Sequence, residues 1–324
     1  MKQSKEIKII VISGVTTGVE WTKTILEENY KISAFFTYDD VKKKYYSDFG
    51  DFSELSSKYK IPHFKISENI NDKKNIEIME NIKPDLILVL GWSQLLKNEI
   101  IKIPKIGVFG SHPTLLPKYR GRAPIPWTII KRLKKSGLTF FWIDDGVDNG
   151  DILDQNEFLI SENEDATSLM KKITELGKKM LKENLKNIQN GVIARKKQNE
   201  LDFIENWPKR TPEDGKIDWS KSAKEIHQLI KATTHPYPGA YTIYKNRKIK
   251  IWKAVLEEQE NQGKEYGKIL SVTSTGIKIS ARKGNIIIKK ISISDKNEIF
   301  AYDNSQEIEI IEIFDESTVG ENLN

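Results

Sequence analysis

The chain has 324 residues, enough for two domains. Its 52 Lys and Arg against 46 Asp and Glu leave a net charge of +6, a modest excess that favours anionic partners without arguing by itself for nucleic acid. With no cysteine, disulfide frameworks, thiolate nucleophiles and thiolate metal sites are excluded; four histidines, none spaced for joint ligation, predict no metal site.

In chain order, MKQSKEIKIIVISG carries lysines and then an apolar run too short for a leader peptide. IKIIVIS (7–13) reads as a strand buried on both faces. GVTTG (14–18) follows as a turn, then a helix over Glu20 to Glu28, and KISAFFT (31–37) is the second strand. Asp51 to Tyr59 reads as a helix, and IPHFKI as a short strand. DLILVL (85–90) and IGVFGS (106–111) are further buried strands; the run at Leu86 to Leu90 is too short to span a bilayer, so a cytoplasmic protein with no membrane partner is expected. SGLTFFWI (136–143) and DILDQNEFLI (151–160) read as half-exposed strands. Asp165 to Gln189 reads as an amphipathic helix with Leu169, Ile173, Leu176, Met180 and Leu181 on one face. This alternation predicts an α/β domain over 1–205, a Rossmann-like, doubly wound, mostly parallel sheet. Past the charged, proline-bearing NWPKRTPEDG comes one helix to Thr233, then short alternating runs (GAYTIY, RKIKIWKA, GKILSV, GIKISA, NIIIKKISI). They predict a smaller β-rich, OB-like barrel domain over 206–324.

The chemistry concentrates in two segments. GVFGSHPTLLPKYRGRAPIPW (107–127) sets His112 just past a predicted buried strand, where open α/β sheets bind ligands. A histidine there can act as general acid or base near neutral pH. DDGVDNGDI (144–152) puts Asp148 in a turn between two strands; beside an imidazole it would orient the ring and support its charged form. Taken alone, each segment is also an ordinary turn. Lys118, Arg120 and Arg122, flanking Tyr119, suit phosphate oxygens as well as they suit a solvated basic turn. Gly14 and Thr16 in GVTTG form a phosphate-facing turn that lacks the full dinucleotide fingerprint. Of the other histidines, His235 in a proline-rich turn, His227 on a helix and His63 in a short strand read as structural.

HPTLLPKYRGRAPIPW (112–127) with GLTFFWIDDGVDNGDILDQ (137–155) closely resembles the folate-dependent formyltransferases, and GWSQLL (91–96) is similar to that family's pterin-binding loop. WPKRTPEDGKIDWSKSAKEIHQLIKATTHPYPGAYTIYKNRKIKIWKA resembles the carboxyl-terminal domain of the methionyl-tRNA and sugar branches. The resemblance implies N10-formyltetrahydrofolate as co-substrate and no metal. It implies His112 and Asp148 as catalytic residues, Trp92, Gln94 and Leu96 lining the pterin pocket, and Asp145, Gly146 and Val147 closing it. It further implies an Asn where this chain has Gly110, so that Ser111, a backbone amide or protonated His112 must stabilise the oxyanion; losing one such donor typically costs ~10²–10³ in rate.

Three acceptors are weighed. The preferred expectation is a nucleotide-linked amino-dideoxy sugar for surface polysaccharide synthesis, with no nucleic-acid partner and a possible homodimer. YYSDFGDFSEL resembles the sugar branch, and Tyr45, Tyr46 and Phe49 suit a base or sugar ring. The alternative is methionyl-tRNA. Residues 245–290 carry twelve Lys or Arg against four Glu, but Glu298 to Glu321 holds eight acidic residues and no basic one, which would repel RNA. The third is a non-catalytic folate or nucleotide-sugar binding protein, encouraged by Gly110.

Overall fold

The computed structural model describes residues 7–257, 265–274, 276–294, 307–308, 314 and 316–324. Most of the acidic stretch from Glu298 lies outside the described residues. The elements run β1 (Ile9–Ser13), α1 (Thr16–Glu27), β2 (Ile32–Tyr38), α2 (Ser53–Tyr59), β3 (His63–Ile66), α3 (Lys73–Ile82), β4 (Leu86–Val89), α4 (Asn98–Ile101), β5 (Gly107–His112), β6 (Tyr119–Gly121), α5 (Pro124–Ile130), β7 (Lys135–Trp142), β8 (Ile152–Leu159), α6 (Ala166–Gln189) and β9 (Glu205–Trp207). After them come α7 (Ala223–Thr233), β10 (Ala240–Tyr244), β11 (Arg247–Glu257), β12 (Ile269–Thr273), β13 (Gly276–Ser280), β14 (Asn285–Ser294) and β15 (Glu307–Ile308).

Two compact units are present. One comprises Met1–Pro124, Lys134–Ile160 and Met170–Pro208; the other comprises Ile125–Leu133, Ser161–Leu169 and Lys209–Asn324.

The first unit is built on a seven-stranded sheet in the order β3-β2-β1-β4-β5-β7-β8. The first five of these strands are parallel, and β7 and β8 run antiparallel at one edge. Every residue of β1 (IIVIS) and β4 (LILV) is buried, as β-branched and aliphatic runs require between two layers. Strand order reverses between β1 and β4, so the crevice of an open α/β sheet falls outside their carboxyl ends. The amide of Gly14, after β1, donates to the carbonyl of Gly91, after β4, at 3.2 Å. Along α6, Ile173, Met180, Leu181, Leu185 and Ile188 are buried, while Leu176 is only half-buried.

In the second unit β10, β11, β14, β13 and β12 form an antiparallel path. Its apolar interior holds Ile249, Ile251, Ile277, Ile279, Ile286 and Ile288, plugged by Phe314. Residues 320–324 join the two edges of that path. Gly320 and Glu321 exchange backbone hydrogen bonds with Ile269 of β12, and Asn324 exchanges a pair with Ile243 of β10. The expected barrel character therefore comes from an extended segment rather than from a strand-to-strand closure. On α7 a reciprocal capping box starts the helix: the Ser222 hydroxyl accepts from the Glu225 amide, and the Glu225 carboxylate accepts from the Ser222 amide.

Candidate active site

His112 is the last residue of β5, hydrogen-bonded in register opposite Thr139 of β7, and is 5% exposed. Its Nε2 lies 2.8 Å from the carbonyl of Tyr119, which also accepts from Thr114 Oγ1 at 2.9 Å. A carbonyl only accepts, so Nε2 carries the proton and Nδ1 is the ring nitrogen left for chemistry. Asp148 Oδ2 stands 3.7 Å from that Nδ1. The same oxygen accepts the Gly121 amide at 2.9 Å. Gly121 has φ +104°, and a Cβ there would lie 2.4 Å from the Trp207 carbonyl, so only glycine brings this amide to Asp148. The predicted histidine and aspartate, 36 positions apart in sequence, thus share one site at the carboxyl edge of the sheet.

Ser111, in the middle of this segment, is half-buried and pairs opposite Phe140. At Gly110 an added Cβ would meet only Ile143 Cδ1 inside 3.4 Å, at 3.1 Å. That atom is the end of a flexible side chain, so the backbone leaves room for a larger residue that the chain does not use.

The loop after β4 is more committed than its sequence implies. Trp92 stacks on Tyr38 (centroids 3.9 Å apart), and Tyr38 stacks on Tyr46 (4.5 Å). Both tyrosine hydroxyls meet Ser93 Oγ, and burial pushes the Tyr38 phenol well above its ordinary range. Trp92 Nε1 is buried without a hydrogen-bond partner. Gln94 spends its carboxamide on the main chain: Oε1 accepts from Ile70 N at 2.8 Å and Nε2 donates to Glu68 O at 2.7 Å. Leu96 is packed in the core beside Ile70 and Ile100. Asp145, Gly146 and Val147 are exposed on the turn that leads to Asp148.

The residues expected to bind a diphosphate are not gathered for it. Gly14 is buried beneath Tyr38, whose ring would stand 2.1 Å from a Cβ there. Thr16 opens α1, but its amide already donates to the Asp48 carbonyl at 2.8 Å. Burial raises the Asp48 carboxyl above its ordinary range. Arg120 directs its guanidinium at Gln198 and Glu200. Tyr119 stacks on Trp207 at 4.6 Å. Lys118 is half-buried. Arg122 is exposed, with Nη2 donating to the Ser93 carbonyl at 3.1 Å. Gln198, which the sequence reading did not single out, donates to the carbonyls of Asp148 and Gly150. No local pattern marks it, because its partners are about 50 positions away.

Among the described residues no group of three or more His, Cys, Asp or Glu could hold a metal ion, and no helix is long and apolar enough to cross a membrane.

Comparison with known proteins places both parts of the chain in one family. The sequence pattern of the formyl transferase family matches residues 8–185, and that of the formyl transferase C-terminal domain matches residues 209–307. The methionyl-tRNA formyltransferase of Clostridioides difficile (strain 630) is 36% identical over 293 residues, covering 90% of this chain and 93% of that protein. That of Clostridium perfringens (strain 13 / Type A) is 34% identical over 94% of this chain and 98% of its own length. Among solved structures, WlaRD, a sugar 3N-formyl transferase crystallised with dTDP and 5-N-formyl-THF, superposes with a TM-score of 0.66 at 22% identity, covering 90% of this chain and 99% of that one. At that identity the likeness shows the fold alone. The sequence relatives overturn the expected sugar acceptor, and they lend no support to the surface-polysaccharide role.

Proposed function

The chain belongs to the formyltransferase family, and from that membership we propose that it transfers a formyl group from formyltetrahydrofolate to the α-amine of methionyl-tRNA. One observation carries the choice of acceptor: five methionyl-tRNA formyltransferases are 34–38% identical to this chain over 70–94% of its length. The co-substrate supplies an activated formyl carbon. Fit to such a heteroaromatic molecule is supported by the buried, unpartnered indole N–H of Trp92 after β4, a donor that another ring's acceptor could take up.

His112 takes up at Nδ1 the proton released as the amine attacks the formyl carbon, since Nε2–H is held by the Tyr119 carbonyl, and delivers it to the folate N10 as the bond between that nitrogen and the formyl carbon breaks and tetrahydrofolate leaves. Asp148, beside Nδ1, stabilises the imidazolium so formed. With glycine at 110, and with the Ser111 side chain alternating to the other face of β5, stabilising the oxyanion falls to neighbouring backbone amides and the imidazolium itself. For the tRNA, the turn over Asp40–Tyr45 offers Lys42, Lys43 and Lys44, with Lys43 and Lys44 exposed, as phosphate contacts that position the acceptor end without reading its sequence.

The test is recovery of formyl-methionine from methionyl-tRNA incubated with formyltetrahydrofolate and the protein. Formyl-methionine that disappears with His112→Ala supports the reading. No product from methionyl-tRNA, with turnover of any other amine, sinks it.

A further inference from the structure

The segment after α6 is laid along the sheet before it reaches Gln198. Trp142 Nε1 donates to the Ala194 carbonyl at 2.8 Å, and the Arg195 guanidinium lies 4.0 Å over the Trp142 ring. Lys196 exchanges both backbone hydrogen bonds with Ile152, at 2.7 and 2.9 Å. These contacts fix the backbone two residues ahead of Gln198.

The Gln198 carboxamide is then fully engaged. Nε2 has two hydrogens and two acceptors, the carbonyls of Asp148 and Gly150, both at 2.8 Å. Oε1 accepts from Arg120 Nη2 at 2.8 Å and Nε at 3.3 Å. The reverse orientation would set an oxygen against two carbonyls and an amide NH2 against a guanidinium, so the side chain has one arrangement. Arg120, its side chain 11% exposed, is anchored in turn by Glu200 and lies 5.6 Å from the Phe203 ring. At the other end of this chain of bonds, Asp148 sits at φ +53°, a left-handed conformation that a non-glycine residue keeps only when its surroundings impose it.

We propose that Gln198 is a positioning residue for the reaction. It clamps the 148–150 turn by both carbonyls, so that Asp148 Oδ2 meets the Gly121 amide and faces His112 Nδ1. Arg120 serves this strut, which is why it is not free for substrate phosphate. The proposal rests on the reading of His112 and Asp148 as the reacting pair.

Gln198→Glu is the discriminating variant. A carboxylate keeps, and strengthens, the pairing with Arg120, but cannot donate to two carbonyls. The protein is expected to retain its unfolding midpoint while the 148–150 turn is released. Two readouts follow. Exchange of the Gly121 amide, followed by NMR or mass spectrometry, is expected to rise about tenfold as its hydrogen bond to Asp148 weakens. The kcat for formyl transfer is expected to fall about 10²-fold with KM for the folate little changed, as a displaced reacting group dictates. Combined with Asp148→Asn, Gln198→Glu is expected to cost almost nothing further, whereas an independent structural role would add its full effect. Unchanged Gly121 exchange in Gln198→Glu overturns the strut, and so does unchanged kcat or full additivity. If the wild-type protein formylates no methionyl-tRNA, the acceptor reading fails while Gly121 exchange still decides the strut.

Discussion

A histidine with one nitrogen tied to a carbonyl has one nitrogen left to act. That is the condition of His112, whose Nε2–H is spent on Tyr119 and whose Nδ1 faces Asp148. The residue-scale prediction is direct: His112→Ala lowers kcat by about 10²–10⁴, the usual worth of a positioned acid–base. Single-turnover rates with saturating folate check it, and a fall below tenfold would remove His112 from the chemistry. The meeting of His112 and Asp148 was legible in the sequence. Each ends or follows a strongly patterned strand, and strand ends are where such sheets place reactive groups. Arg120 was not legible as a structural residue, because Gln198 and Glu200 stand 78 and 80 positions away. The engagement of the Gln94 side chain was hidden for the same reason. A glutamine in a loop looks free until the backbone of residues 68–70 is seen folded against it.

At the scale of elements, glycines mark the close approaches. Trp21 of α1 lies against α6, with Nε1 donating to the Thr174 carbonyl at 2.8 Å. A Cβ at Gly177 would stand 2.3 Å from the Trp21 ring. Gly177→Ala therefore pushes the two helices apart despite improving helix propensity, and is expected to destabilise the fold by ~1–3 kcal/mol. A urea midpoint equal to or above wild type would contradict the packing described. The buried strands were legible because the runs are apolar on both faces, short and β-branched. Helix ends were less so: α1 begins at Thr16, four residues before the expected Glu20, because the tight turn after β1 leads straight into it. Helix α3 gave little signal, since Lys73–Ile82 mixes charge with its apolar face, and α5 is opened by two prolines that read as a loop. The carboxyl-terminal strands were anticipated from alternation. Their closure by residues 320–324 was not, because it depends on pairing with two distant edges.

For the whole molecule, pH acts on stability through half-buried histidines. Burial lowers the pKa of His63, whose Nε2 meets Thr37 Oγ1 at 2.7 Å, and burial with Lys231 nearby lowers that of His227. The unfolded imidazoles take up protons near pH 6.5, while the folded ones resist to lower pH. Below that point the unfolded chain binds more protons, so this stability is complete above pH 6.5 and is lost as pH falls beneath it. Depressed carboxylates such as Glu20 and Glu225 act in the same direction, but only as pH falls toward and below their ordinary range. The urea midpoint is therefore expected to drop between pH 7.5 and 5.5, and the double variant His63→Gln, His227→Gln to flatten that slope. An unchanged slope would show that these rings do not titrate as their burial dictates.

The acceptor is where reading the sequence alone went furthest astray, for a physical reason. On the proposed reading the reaction centre sees only an amine, a formyl carbon and a proton, and His112 with Asp148 would serve any such amine. What distinguishes a tRNA from a nucleotide sugar is spread over a surface, in lysines that read equally well as a solvated turn. The decisive measurement is kcat/KM for methionyl-tRNA against a panel of nucleotide-linked amino sugars, under one concentration of formyltetrahydrofolate. Methionyl-tRNA is expected to be preferred by orders of magnitude, and His112→Ala to lower its turnover by about 10²–10⁴. A higher kcat/KM for any of the sugars would contradict it.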